Sequence, residues 1–320
     1  MSQLSRITEK NCRLQVGDNV VELTNLDKVY WPEDGYCKRD LLEYYQQVSE
    51  FLLPYLKDRP EHLNRHPNGI HGKSFFQQDV SRQPPPKWVE TRELREEGED
   101  ENKRHLICQD AATLLYLANL GCIELNPWHS RIGSLDHPDY LMIDLDPEGI
   151  VFERVIEAAQ MVRRTLDAVG APSVCKTSGK RGLHVYVPLG ARYTHAHAKQ
   201  FAELIAHMVQ RKLPGSTSVV RLPRHRQQRV YLDWLQNGRG KTLAAAYCVR
   251  PAPGAPVSAP LKWSEVRRGL DRTRFTINTM PRRLDKVGDL LRPVLSAGID
   301  LADCLEKLAA MVRPRGSGTV

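Results

Sequence analysis

One apolar run, Tyr140-Leu-Met-Ile-Asp-Leu-Asp-Pro147, constrains this chain more than any other stretch, because it ends in two carboxylates one residue apart. In a strand, successive side chains point to opposite faces, so Asp144 and Asp146 share one face while Ile143 and Leu145 pack on the other. Two negative charges converging on one spot are unfavourable unless something positive sits between them. A hard divalent cation with oxygen ligands is the usual solution. A strand that simply ends in a solvated Asp-Leu-Asp-Pro turn has the same signature.

At 320 residues the chain is long enough for a sizeable core, as two modules or one elaborate α/β domain. Its 41% hydrophobic and 26% charged residues exclude a disordered chain. No apolar run approaches the ~18 residues of a membrane helix. Met1 to Lys10 lacks an apolar h-region, and the seven cysteines form no Cys-x-x-Cys pair. A cytoplasmic, reduced protein is therefore expected, without a disulfide framework or zinc knuckle. The net charge of +8 argues for a polyanionic partner, and it is unevenly placed. Arg221 to Arg229 is a dense basic run, whereas Arg95 to Glu101 is acidic.

Along the chain, Arg13 to Val16 and Val20 to Leu23 flank Gly17-Asp18-Asn19 and read as a β-hairpin. From Lys38, the spacing of Leu41, Leu42, Tyr45, Val48, Phe51 and Leu52 predicts an amphipathic helix ending near Pro54. Ser74 to Gln77 reads as a strand, and Gln83 to Arg104 as a long exposed loop. A helix capped by Gln109 or Asp110 precedes a strand at Cys122 to Leu125. Phe152 to Val169 is helical and stops at Gly170. Val174 to Thr177 and Leu183 to Val187 are strands, Thr194 caps a further helix, and Val230 to Leu235 is a strand carrying Asp233. Leu284 to Val312 offers two or so final helices. Gly72-Lys73-Ser74 and Gly240-Lys241-Thr242 imitate P-loop endings but lack the first glycine, since Pro67 and Leu235 stand there. His195 and His197 fall on different sides of a helix, and His62 and His66 lie between prolines, so neither pair is read as a metal site.

The turn Ser178-Gly-Lys-Arg-Gly-Leu-His184 is the second informative stretch. Its glycines would let backbone N–H groups approach a phosphate, with Ser178, Lys180 and Arg181 adding donors. Strand alternation then puts Leu183, Val185 and Val187 toward a core and His184 and Tyr186 on the other face. An imidazole beside a phosphate turn can hydrogen-bond a phosphate oxygen or handle a proton. With Asp233, the Asp144-x-Asp146 pair makes the ligand inventory of a two-metal phosphoryl-transfer site, with ions about 3.5–4 Å apart. Lys241 and Arg250 follow closely and could neutralise a triphosphate.

Assembled in order, these motifs resemble the polymerase domain of bacterial non-homologous end-joining ligases, a branch of the archaeo-eukaryotic primase superfamily. The resemblance spans nearly the whole chain. It rests on Leu23 to Tyr30, Lys38 to Tyr45, Asp110 to Leu125, Tyr140 to Pro147, Lys176 to Pro188, Asp233 to Thr242 and Tyr247 to Arg250. It implies an α/β (α+β) primase-like core of mainly antiparallel sheets flanked by helices. A single domain over 1–320 is expected, with submodules near 1–108, 109–262 and 263–320. It also implies that Asp144, Asp146 and Asp233 hold two divalent ions, Mn2+ or Mg2+, with His184 in the catalytic set, and that NTPs or dNTPs are added to DNA ends, commonly ribonucleotides.

Carried over by position, Ser178, Arg181, His184 and Arg250 look like triphosphate contacts, and Lys241 a further one. Phe76 resembles a base-stacking aromatic, Arg65 a neighbouring polar contact, and Lys28 and Lys38 a pair gripping the 5′-phosphate of a gap. Stacking tolerates any base and is worth about 1–3 kcal/mol. Asn64 and Asn126 depart from the lysine and histidine common in relatives, and both bear on ribonucleotide preference. Expected partners are DNA ends and gapped duplex, a Ku-type end-binding protein and an ATP-dependent DNA ligase. The chain carries no Lys-x-Asp-Gly adenylation motif, so nick sealing is not expected of it. The rival readings are a non-catalytic end-binding module, a metal-dependent nuclease or phosphatase, and a primer-synthesising primase.

Overall fold

A computed structural model describes Leu4 and residues 8–95, 101–226 and 228–312. In chain order its strands are β1 (Cys12–Val16), β2 (Asn19–Leu23), β3 (Val29–Trp31), β4 (Tyr36–Cys37), β5 (Pro60–Arg65), β6 (Phe75–Gln77), β7 (Thr91–Arg95), β8 (Asn102–Ile107), β9 (Cys122–Pro127), β10 (Tyr140–Pro147), β11 (Val174–Thr177), β12 (Leu183–Pro188), β13 (Thr217–Ser218), β14 (Val230–Asp233) and β15 (Pro260–Leu261). The helices are α1 (Lys38–Leu52), α2 (Ala111–Asn119), α3 (Phe152–Ala168), α4 (His195–Lys212), α5 (Met280–Val287) and α6 (Leu301–Val312). Among the described residues, no helix is long and apolar enough to cross a membrane. The mixed architecture is the one expected from sequence.

Two sheets carry the fold. The first runs β13-β14-β10-β12-β11-β15, and only its β13–β14 pair is parallel. The second runs β6-β5-β8-β7, with β9 also paired to β5. Ile143 lies opposite Val185 and Leu145 opposite Leu183, and all four are fully buried. This apolar face meets α3 and α4. Each such side chain contributes about 1.5–3 kcal/mol when fully buried. The other face carries Asp144 and Asp146, as strand alternation requires.

The helices follow their sequence signals. Asp110 accepts from the Thr113 N–H and Thr194 from the His197 N–H, so α2 and α4 begin at capping side chains. In α1, Leu41, Leu42, Tyr45, Val48 and Leu52 form the buried stripe.

Two boundaries differ from the sequence expectation. The stretch 83–104 is not one loop: β7 and β8 form a hairpin register from Thr91–Leu106 to Arg95–Asn102, and residues 96–100 of the acidic run lie outside the described residues. Its strands are mostly charged on their exposed face, which hides the apolar alternation that a sequence reading needs. The boundary near 108 also fails as a structural seam. Strand β9 joins the second sheet through β5, and α2 packs on α1, so 111–127 belong with the N-terminal layer.

Long-range ties lock the C-terminal part onto both layers. The Asp289 carboxylate accepts from the Tyr55 hydroxyl at 2.8 Å and the Tyr247 hydroxyl at 2.6 Å. The Tyr44 hydroxyl donates to Tyr247 O, and the Val249 N–H donates to the Tyr45 hydroxyl. These bonds hold the segment that presents Arg250.

Candidate active site

Antiparallel pairing places Asp233 opposite Asp144, Asp144 opposite His184, and His184 opposite Lys176. Directly opposed residues project to the same side. One rung across β14, β10, β12 and β11 therefore carries two carboxylates, an imidazole and an ammonium. Asp146 stands two residues along β10, opposite Tyr231. The rung is deep: His184 is 2% exposed and Lys176 fully buried, whereas the Asp146 side chain keeps 37%.

Burial, then the neighbouring Asp146 and Asp233, push Asp144 up to about 7. Burial also raises Asp146, against the pull of Arg181 and Arg226. Arg181 lies 3.6 Å from Asp146 Oδ1, and Arg226 3.8 Å from Asp146 Oδ2. The Asp233 carboxylate accepts from the Leu235 N–H at 2.9 Å, the Gln236 amide at 3.0 Å and the Tyr231 hydroxyl at 3.3 Å. It is thus held against its own turn. Among the described residues, no three His, Cys, Asp or Glu side chains close around one point. The donor set still suits a divalent cation: three carboxylates on adjoining strands carry charge that two arginines offset only from the rim.

Asn237 explains how β14 ends at Asp233. Its side-chain Oδ1 accepts from the Met142 N–H and its Nδ2 donates to Met142 O, both at 2.8 Å. The amide substitutes for the next strand residue, so the chain can leave the sheet while β10 stays paired. His195 bridges Asn237 O and Leu135 O, so it serves structure, as expected from its spacing.

The Ser178–Gly182 turn is built differently from the sequence expectation. The Lys180 and Gly182 N–H groups donate to Ser178 Oγ, at 3.2 and 3.0 Å, and the Ser178 N–H donates to Gly182 O. Those amides are spent within the turn, which leaves the Ser178 hydroxyl proton and the side chains as the donors for a phosphate. Gly182 is required because a Cβ there would lie 2.3 Å from Leu145 O. Gly179 has φ +74°, and its Cβ would meet Arg250 Cγ at 2.5 Å. Arg250 braces the turn: its Nη1 donates to Ser178 O and its Nε donates to Glu124 Oε2 at 2.8 Å.

Glu124 belongs to the other sheet. It lies opposite Asn64, which lies opposite Phe76. Asn126 lies opposite His62, two residues along, so the two departures Asn64 and Asn126 share the face that carries Glu124. Phe76 is 67% exposed, unusual for a phenylalanine not engaged by another surface. Arg65 does not accompany it. Arg65 is opposite Phe75, its guanidinium lies over that ring at 5.2 Å, and its Nη1 donates to Gln77. The expectation of a neighbouring contact fails because adjacent strand residues alternate faces. A cleft of about 700 Å3 runs past Arg65, Phe75, Phe76, Gln77 and Lys103. Lys241 lies near His62, whose imidazole its charge helps hold down at about 4, after burial and Lys103.

Lys28 and Lys38 meet at the β3–β4 hairpin, where the Lys38 N–H donates to Lys28 O at 2.8 Å. Lys38 Nζ donates to Thr24 O and Lys28 Nζ to Asn68 Oδ1. Burial, then Lys28, lowers Lys38 to about 8.

Residues 37–291 match the family model described as the LigD primase-polymerase domain. The chain belongs to that family. It is 34% identical over 270 residues to the bifunctional non-homologous end joining protein LigD of Bacillus subtilis, covering 84% of this chain and 43% of that protein. It is 32% identical over 301 residues to the multifunctional non-homologous end joining protein LigD of Pseudomonas aeruginosa, covering 93% of this chain and 35% of that one. The chain thus spans less than half the length of these curated relatives. The polymerase domain of Mycobacterium tuberculosis Ligase D, solved in complex with DNA, superposes with a TM-score of 0.79 at 28% identity, over 87% of this chain and 99% of that one. The primase-polymerase fold expected from the motifs is therefore the fold of this chain.

Sequence reasoning left four members of the LigD-type site without a role. Lys176 and Asn237 fall inside the motifs, but their partners lie on other strands. Glu124 needed the seam between sheets to be known. Arg226 is one arginine in a basic run, yet it is buried, donates from Nε and Nη2 to Val220 O and Arg221 O, and faces Asp146 and Glu148.

Proposed function

We propose that this LigD-type domain catalyses template-dependent nucleotidyl transfer at gapped or broken DNA ends. The observation that carries the reading is the rung Asp233–Asp144–His184–Lys176, set beside the Ser178–Gly182 turn that Arg250 braces. Asp144, Asp146 and Asp233 would hold divalent ions, manganese or magnesium. Such ions, when bound, supply activation of a 3′-hydroxyl and charge compensation at the leaving pyrophosphate.

The chain's own residues do the rest. The Ser178 hydroxyl, Arg181 and Arg250 bind the triphosphate, and Lys241 extends the positive rim. Burial, then Lys176 and Arg250, holds His184 far below its ordinary range, so it meets phosphate as a neutral imidazole. The exposed Phe76 stacks on a base, and Asn64 and Asn126 on the same face bear on the choice between ribose and deoxyribose. Lys28 and Lys38 bind the 5′-phosphate across the gap.

The neighbour's complex with DNA supports this substrate class, and the names of the relatives support a place in non-homologous end joining. A Ku-type end-binding protein and an ATP-dependent ligase activity, on the same or another chain, are the proposed partners. Primer extension on a 5′-phosphorylated gapped duplex with manganese, comparing ribo- with deoxyribonucleotides, tests the reading. Extension with pyrophosphate release is expected, and Asp144→Ala should abolish it while leaving end binding largely intact. Robust extension by that variant, or shortening of the DNA, would sink the proposal.

A further inference from the structure

We propose that Lys176 is a positioning residue for His184, holding the imidazole in the tautomer that carries its proton on Nε2. The argument is a count of protons in a closed network. Lys176 Nζ has three polar neighbours: Ser258 Oγ at 2.6 Å, His184 Nδ1 at 2.9 Å and Ala244 O at 3.0 Å. The Ser258 hydroxyl proton goes to Thr177 O at 2.9 Å, so Ser258 Oγ can only accept from Nζ. Ala244 O is an acceptor by nature. An ammonium has three protons and no lone pair, so the third proton is left for His184 Nδ1.

That nitrogen must then present its lone pair. The single proton of a neutral ring sits on Nε2, which lies 3.4 Å from Asp144 Oδ1. Two carboxylates of the same rung, Asp144 and Asp233, favour the charged amine despite its burial. Position is fixed as firmly as protonation: Lys176 is fully buried, and its Nζ also sits 5.7 Å from the Tyr186 ring centroid. A lysine serving only to tie β11 to the 244–258 segment would need Ala244 and Ser258 alone. The third bond couples it to the one ring in the rung.

The consequence for catalysis rests on the proposed function. A ring fixed with Nε2–H outward is a ready donor to a phosphate oxygen, whereas the other tautomer would offer a lone pair and repel it. Partners of this kind, which orient a group that itself touches the substrate, typically matter by 10–100-fold in related sites.

The tautomer can be read without metal, nucleotide or DNA, so the test stands even if the chain does not polymerise. Long-range 1H–15N correlation on the metal-free chain labelled with 15N-histidine should show His184 with a pyridine-like Nδ1 and a pyrrole-like Nε2. In Lys176→Met, Nδ1–H should appear, while the signals of His195 and His129 stay in place and report an intact fold. Ser258→Ala, which loosens Nζ without removing it, should give a partial shift in the same direction. In a chain that polymerises, Lys176→Met should raise nucleotide KM about tenfold more than it lowers kcat. A wild-type ring protonated on Nδ1, or the wild-type pattern surviving in both variants, overturns the proposal. Should Lys176→Met not fold, the wild-type tautomer and Ser258→Ala decide it.

Discussion

Arg250 and Glu124 meet across the seam between the two sheets, with Arg250 Nε donating to Glu124 Oε2 at 2.8 Å. One partner sits on β9 of the N-terminal layer, and the other reaches the Ser178 turn of the catalytic layer. Because the pair is largely buried, removing one member leaves the other without its partner. Glu124→Ala is therefore expected to cost about 3 kcal/mol of stability by chemical denaturation. Nucleotide KM should rise with it, since Arg250 loses the group that aims it. Unchanged values of both would show that the pair is not what couples the layers.

A second expectation concerns pH. Asp144 is raised to about 7 by burial and by Asp146 and Asp233. A carboxyl whose folded-state pKa exceeds its unfolded value near 3.9 binds a proton more tightly when folded. Its stabilising contribution is complete below about pH 4 and is lost as pH rises toward 7. The thermal midpoint of metal-free protein should fall over that window, and Asp144→Asn should flatten the fall and raise stability at pH 8. A wild-type and variant pair with parallel pH profiles would contradict this.

Lys38 offers a pH handle on end recognition. Burial and Lys28 lower it to about 8, so it discharges well before an ordinary lysine. The preference for 5′-phosphorylated over unphosphorylated gapped DNA should therefore weaken between pH 7 and pH 9. Fluorescence anisotropy with the two duplexes measures it. Lys28→Ala, by removing the second cation, should reduce the same preference at every pH.

Two glycines make a paired experiment. A Cβ on Gly182 would lie 2.3 Å from Leu145 O, in the strand that carries Asp144 and Asp146, whereas one on Gly133 would meet nothing within 4 Å. Gly182→Ala is expected to lose at least about 2 kcal/mol of stability and most extension activity, because backbone cannot yield as a flexible side chain can. Gly133→Ala should be close to neutral. Equal effects would show that the approach of β12 to β10 tolerates widening.

By itself, the sequence determined the strand at 140–147, its two-faced alternation, the helix starts at Asp110 and Thr194, and the family. These are local or ordered signals: a side chain's face follows from its neighbour's, and a cap lies within three residues of the N–H it satisfies. Alternation also places Asp144 and Asp146 together without any knowledge of what surrounds them. Only the tertiary structure decided who stands across from whom. Register between strands distant in sequence set Asp233 against Asp144 and Lys176 against His184, and it turned Arg65 away from Phe76. A shift of one residue would have reversed each of these assignments. The buried arginine in the basic run and the Glu124–Arg250 seam were likewise beyond the sequence, since burial and partnership depend on surfaces that exist only once both sheets are in place.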